Sequence, residues 1–194
     1  MAAKKPIKTP SPKKSKAKRL NTLGPGDRNV HLQMALAMFI ATIRVGLADG
    51  KIDKKEMEAG LKVTLGLATK SKSEYVADAA NLLATGTTLV NSMREFDERG
   101  DDEILRDLSK RLKTLPEEDQ YRFHMAFIIL CVGVGRASGG GLLKGPAFSS
   151  EEDAATNEMV AVLWGVPKPI KSPLPAKFLA FAREAEGFCE LYGI

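Results

Sequence analysis

Two long apolar segments of this chain follow the same order of residue types 89 positions apart, and this repeat restricts the possible folds more than any other feature. Residues 36–46 read LAMFIATIRVG, and residues 125–135 read MAFIILCVGVG. Each segment is apolar on nearly all sides of a helix, which is typical of a helix buried at the centre of a bundle. The repeat predicts two related helical halves around two buried central helices.

Helical periodicity also marks nearly every other segment from Asn29 onward, whereas β-branched runs are short. We therefore predict an all-α fold, a single helical bundle of about seven helices that occupies residues 29–194. The predicted helices span residues 29–48, 54–68, 73–96, 102–112, 117–135, 150–164 and 175–192.

Residues 1–28 differ sharply from the rest of the chain. They contain nine Lys or Arg residues against one Asp, four prolines and no aromatic residue. Such a segment cannot bury enough apolar surface to offset the chain entropy lost on folding, so we predict a disordered basic tail. Its net charge of +8 contrasts with the net charge of −3 on residues 29–194.

A tail of this charge is expected to attract polyanions in a salt-sensitive way, which makes nucleic acid and anionic membrane surfaces possible partners. One stretch, SPKK at residues 11–14, resembles a unit repeated in the tails of linker histones. A solubilising spacer is the alternative. The candidate phosphate-binding residues are Lys4, Lys5, Lys8, Lys13, Lys14, Lys16, Lys18 and Arg19.

The sequence predicts no transmembrane segment. Its longest apolar stretch, residues 32–48, is interrupted by polar and charged side chains and is shorter than the roughly 20 residues that a spanning helix needs. The basic N-terminus is not followed by the apolar region of a secretory signal. Two cysteines do not form a disulfide framework in a chain of this length, so we expect a reducing, cytoplasmic location.

The stretch LADGKIDKKE, residues 47–56, places three carboxylates around a glycine. Helix capping explains part of it, since Gly50 is suited to end a helix while Asp53 and Glu56 have the spacing of a capping box. Asp49 fits capping less well, because a predicted helix that ends at Ala48 places this carboxylate near the negative end of the helix dipole. The alternative is a site for a hard divalent cation, calcium or magnesium, bound by the three carboxylates.

A long apolar helix that ends in Ala-Asp-Gly at residues 48–50, followed by Ile52-Asp53-x-x-Glu56 and a helix that closes on Leu-Gly-Leu at residues 65–67, resembles the TerB-like tellurite-resistance family. The resemblance covers roughly residues 29–166. It implies an all-helical intracellular domain with an acidic cluster that binds divalent cations.

Position by position, the resemblance assigns the cation site to Asp49, Asp53 and Glu56, with Glu152 as the counterpart of Glu56 in the second half. Ser138 and Ser149 stand where a symmetrical second site would have aspartates. We therefore expect the first half to hold the metal site and the second half to keep only its helix cap at Ser149 and Glu152.

The family resemblance implies a non-enzymatic adaptor or regulator with protein partners in a stress-resistance or phage-defence assembly. The sequence agrees with this expectation, because we find no nucleophile paired with a base and no complete zinc site. His124 and Cys131 fall on one helical face but are too few for such a site. The alternative function is that of a nucleic-acid-associated protein that binds DNA or RNA through its basic tail.

Overall fold

The computed structural model describes residues 25–86, 100–138 and 149–165, and within these ranges the chain forms six α-helices and no strand. This agrees with the predicted all-α class. In chain order the helices are α1 (Pro25–Gly46), α2 (Lys54–Lys70), α3 (Glu74–Thr85), α4 (Asp101–Leu112), α5 (Glu117–Ser138) and α6 (Ser150–Trp164).

Several helix boundaries differ from the predicted ones. Helix α1 begins at Pro25, inside the predicted tail, because a proline is preorganised for the first turn of a helix. It ends at Gly46, two residues earlier than predicted. Helix α3 ends at Thr85, where Gly86 adopts a left-handed conformation with φ of 66°, so the predicted continuous helix over residues 73–96 is wrong in its length.

Other predictions fall on parts of the chain that lie outside the described residues. These are the tail up to residue 24, the glycine-rich insertion at residues 140–146, and the seventh helix at residues 175–192.

The two apolar helices lie at the centre of the bundle. Helix α1 contacts each of the other five described helices, and α5 contacts α1, α2, α3 and α6. Large side chains on both, such as Met38 and Phe127, are completely buried. Helices α2 and α3 pack against each other and against the central pair, while α4 and α6 pack together on α1.

Polar contacts fix which helix ends lie together. At one end of the bundle, the hydroxyl of Ser73, which follows α2, donates to Asp119 Oδ1 of α5 over 2.7 Å. At the same end of α5, the ring of His124 stacks on Trp164 of α6. The first turns of α2 therefore lie toward the opposite end of the bundle, beside the last turns of α5.

None of the helices within the described ranges is long and apolar enough to cross a membrane.

Candidate functional site

The turn between α1 and α2 contains Asp49, which the structure places outside the helix rather than in its last turn. Its exposed carboxylate accepts a hydrogen bond from the backbone N–H of Lys51 over 3.3 Å. Gly50 beside it has a backbone φ of 102°, which residues with a side chain rarely adopt. Because α1 ends at Gly46, Asp49 does not lie in its last turn, and the predicted unfavourable interaction with the helix dipole is absent.

Asp53 and Glu56 form the capping box that their spacing predicts. Asp53 Oδ1 accepts from the Glu56 N–H over 2.9 Å, and Glu56 Oε2 accepts from the Asp53 N–H over 2.6 Å. The side chain of Glu56 is buried, with 1% of its surface exposed. A Cβ atom at Gly46 would lie 3.0 Å from Ile52 Cγ1, so this glycine lets Ile52 pack closely against the end of α1 beside the capping box.

A second capping box begins α6. Ser149 Oγ accepts from the Glu152 N–H over 3.1 Å, and Glu152 Oε2 accepts from the Ser149 N–H over 2.7 Å. Glu152 is also 1% exposed. The two glutamates that the sequence paired across the halves therefore make the same hydrogen bonds, but they do so on two different helices.

The four predicted cation ligands do not form one preassembled cluster. In the ranges that the structure describes, no group of three His, Cys, Asp or Glu side chains could hold a metal ion. The Asp49 carboxylate contacts the turn, and the other three residues belong to the two capping boxes. Cation binding thus stays a prediction. A cation would have to compete with backbone N–H groups for the Asp49, Glu56 and Glu152 carboxylates.

His124 and Cys131 lie in packed surroundings that give them structural roles. The imidazole of His124 stacks on the Trp164 ring at a centroid distance of 3.7 Å. Burial raises the pKa of the Cys131 thiol to about 12. Because a thiolate is the reactive form, Cys131 is not a nucleophile at neutral pH in the folded chain.

A basic groove runs between α2 and the last turns of α5. Its volume is about 320 Å³. Lys55 and Lys62 of α2 and Arg136 of α5 supply three cationic groups, against the single carboxylate of Glu58. Small residues complete the lining, which lets a ligand approach the helix backbones. They are Ala59, Gly133 and Ala137.

A row of exposed apolar side chains lies beside this groove on α2. Met57, Leu61 and Leu65 are 47%, 52% and 49% exposed, although they stand in the middle of a packed helix. Their spacing of four residues places them on one side of the helix. We call these three residues the apolar row.

Sequence reasoning missed both the basic groove and the apolar row. The four-residue spacing of Met57, Leu61 and Leu65 predicts an apolar helix face. It does not indicate whether that face is exposed, because a face that packs on the core has the same spacing. The predicted nucleic-acid-binding residues of the tail lie outside the described residues.

No protein-family model matches the chain, and neither the curated proteins nor the solved structures include a match.

Proposed function

We propose that this chain is a non-enzymatic helical adaptor or regulator that binds an acidic segment of a protein partner in the basic groove. The groove is the observation that carries the proposal, because it combines three cationic side chains with a floor of small residues. Carboxylates of a partner would pair with Lys55, Lys62 and Arg136 at the rim. The backbone of the partner segment would lie on the small residues at the floor of the groove, between these three cationic side chains.

The charge distribution favours an acidic partner at this position. Residues 29–194 carry a net charge of −3, so a basic groove on this body stands out from its surroundings. Complementary charge raises association rates and excludes wrongly charged partners. The groove thereby supplies selectivity without any catalytic group.

The resemblance to the TerB-like family supplies the proposed setting. We place the adaptor in a cytoplasmic stress-resistance or phage-defence assembly. The matched capping boxes at Asp53 and Ser149 support the proposed origin of the fold in two related halves. Both boxes bury a glutamate at the corresponding position.

Divalent-cation binding through Asp49, Asp53 and Glu56 belongs to the same proposal. Calcium is the first candidate and magnesium the second, since both prefer oxygen ligands. Glu56 Oε2 accepts a hydrogen bond from the Asp53 N–H over 2.6 Å, and a bound cation would pull the carboxylate away from this donor. The proposed affinity is therefore modest, and binding would couple the α1–α2 turn to the start of α2.

Photo-crosslinking from within the groove tests the adaptor role. A photoreactive amino acid at Ala137 of the full chain should give a discrete adduct with one protein in the organism that encodes it. Adding Lys55→Glu should remove the adduct, because the groove loses its complementary charge. The same probe at Lys113, an exposed residue after α4, serves as the control. Identical products at Ala137 and Lys113 would refute the proposal.

Growth in the presence of tellurite tests the proposed setting separately. A deletion strain should recover resistance with the wild-type gene and not with a Lys55→Glu, Arg136→Glu double variant. Lys113→Glu should restore growth as the wild type does. Full resistance with the double variant would show that tellurite resistance does not require the basic groove.

The second candidate function is nucleic-acid binding through the tail. The observation that favours it is the charge of +8 on residues 1–28. Each lysine or arginine that contacts a phosphate releases a counterion, so such binding would be strong at low salt and weak at high salt.

A further inference from the structure

The apolar row holds most of the exposed large apolar side chains among the described residues. Those side chains are Leu47, Met57, Leu61, Leu65 and Tyr121, and three of these five belong to the row. The opposite face of α2 is already buried in the bundle. The row is therefore a second apolar face on one helix.

Residues 178–191, which we call the C-terminal segment, carry an apolar stripe of matching period and lie outside the described residues. The stripe consists of Phe178, Phe181, Ala185, Phe188 and Cys189. These residues recur every three or four positions, as on one face of the helix predicted for residues 175–192. Such a stripe needs an apolar surface to pack on, and the row offers one with a spacing of four residues.

We propose that the C-terminal segment docks on the apolar row and covers the basic groove beside it. The docking goes beyond the proposed function. The covering of the groove rests on that function, since a covered groove is closed to an acidic partner until the segment leaves.

The chain between α6 and the C-terminal segment is long enough for this contact. Helix α6 ends at Trp164, which stacks on His124 near the N-terminal end of α5. The last turn of α2 lies at the same end of the bundle, because Ser73 donates a hydrogen bond to α5. Residues 166–174 can span roughly 28 Å as an extended proline-rich chain, whereas the two steps from α6 past α5 to α2 cover roughly 20 Å. The segment therefore reaches the row at Leu65 and runs antiparallel to α2.

The antiparallel register pairs a small side chain with the centre of the row. When Ala185 lies opposite Leu61, the intervals of four residues on both helices also place Cys189 opposite Met57. The small side chain of Ala185 leaves room for Leu61 between the two phenylalanine rings on either side of it. Large and small side chains thus interdigitate, as close packing requires.

The charges of the C-terminal segment match those of the groove. The segment contains three glutamates and one arginine, whereas three cationic side chains and one carboxylate line the groove. Glu186 and Glu190 lie about 100–140° from the centre of the stripe on one side of the helix, and Glu184 lies on the other. In the antiparallel orientation, the right-handed turn of both helices puts Glu186 and Glu190 on the side of the groove. The groove's own carboxylate, Glu58, has Lys54 as a counter-charge at 3.4 Å, which reduces its repulsion of both glutamates.

A disulfide bond tests the docking, because the segment already contains a cysteine. In the full chain with Met57→Cys, oxidised glutathione should join the introduced thiol to Cys189 within one chain, as peptide mapping of the monomer would show. Cys131 is completely buried and takes no part. Tyr121→Cys is the control, since this position is 40% exposed on α5 outside the row, and it should form no such bond. A disulfide between two chains would assign the row to a second copy and overturn the proposal, as would equal bonding from both positions.

Flotation with phosphatidylserine vesicles examines a membrane as the other occupant of the row. Leu61→Asp should leave any flotation of the full chain unchanged, because the row is covered by the segment. Flotation that Leu61→Asp abolishes, with no disulfide in Met57→Cys, would assign the row to a membrane and overturn the proposal.

Charge reversal tests the orientation of the segment. Adding Glu186→Lys and Glu190→Lys to Met57→Cys should lower the effective concentration of the two thiols, measured against glutathione, about tenfold, because two attractive contacts become repulsive. Glu184→Lys is the matched control on the far side of the segment and should change this concentration less than about twofold. An equal loss with Glu184→Lys would overturn the docking geometry. Circular dichroism checks that each variant folds.

The effect on the groove is measured with the photoreactive probe at Ala137. Glu186→Lys combined with Glu190→Lys should increase the adduct with the protein partner, because the segment competes less well for the groove. An unchanged yield would overturn the covering of the groove. If neither protein gives an adduct while Met57→Cys forms its disulfide, the proposed function fails and the docking is supported, so the two failures are distinguishable.

Discussion

Replacement of Glu56 by alanine should destabilise the fold more than any surface change on α2. The Glu56 side chain is buried and accepts the Asp53 N–H over 2.6 Å. Alanine leaves that N–H without its acceptor at the start of the helix. Glutamine at the same position keeps an acceptor oxygen, since the capping box tolerates either residue.

The expected magnitude follows from these contacts. A hydrogen bond to a charged group contributes roughly 1.5–3 kcal/mol net. We therefore expect Glu56→Ala to lower the free energy of unfolding by about 2–3 kcal/mol, and Glu56→Gln by about 1 kcal/mol, because the bond becomes neutral. Glu58 lies two residues further along α2 and is exposed, so Glu58→Ala should lower the free energy of unfolding by about 0.5 kcal/mol or less.

Urea unfolding followed by far-UV circular dichroism measures these differences. With a slope of roughly 2 kcal/mol per molar urea, Glu56→Ala should move the midpoint down by about 1 M without changing the slope. Glu152→Ala should behave alike, because Glu152 makes the same hydrogen bond to Ser149 at 2.7 Å. A Glu56→Gln variant as unstable as Glu56→Ala would refute this reasoning, because glutamine has the shape of glutamate and keeps an acceptor oxygen for the Asp53 N–H.

Three further predictions concern the cation, the tail and the thiol. Calorimetry should detect weak calcium binding to the wild type and none to Asp49→Asn, and NMR shifts should begin near Gly50 before Ser149; no heat in either protein would leave only the capping role. The full chain should bind duplex DNA with an affinity that falls steeply with salt, and removal of residues 1–24, which stops short of α1, should abolish binding while helical content is retained. Iodoacetamide should leave Cys131 unmodified in the folded chain at mildly alkaline pH, as peptide mapping would verify. Between the ordinary thiol pKa of 9.0 and the folded value of about 12, the free energy of unfolding should fall as pH rises, because only the unfolded thiol ionises.

The helices that the sequence located best are those with the clearest local signals. Capping boxes predicted the start of α2 and α6, where Asp53 and Ser149 are the N-caps. The first and fifth predicted helices are the central pair, since a segment that is apolar all round has no stable position except inside the bundle. The end of α3 was missed although a local signal marked it, since Gly86, which adopts the left-handed conformation that ends a helix, stands between Thr85 and Thr87, two poor helix formers.

The candidate site was harder to predict because it depends on neighbours that are distant in sequence. Lys62 and Arg136 line one groove although 74 positions separate them, and nothing local to either residue indicates this. Likewise, Leu61 is exposed and Leu67 is buried on the same helix. Their residue types are identical, so only the packing directions of α3 and α5 against α2 distinguish them.

The stack of His124 on Trp164 gives this chain a built-in optical reporter. The sequence contains one tryptophan, so all intrinsic tryptophan emission comes from the contact between α5 and α6. Undocking of α6 would change that emission at once, whereas circular dichroism responds only when helices melt. If α6 unfolds separately from the other described helices, the two signals will give different transitions, and a single cooperative unit will make them coincide.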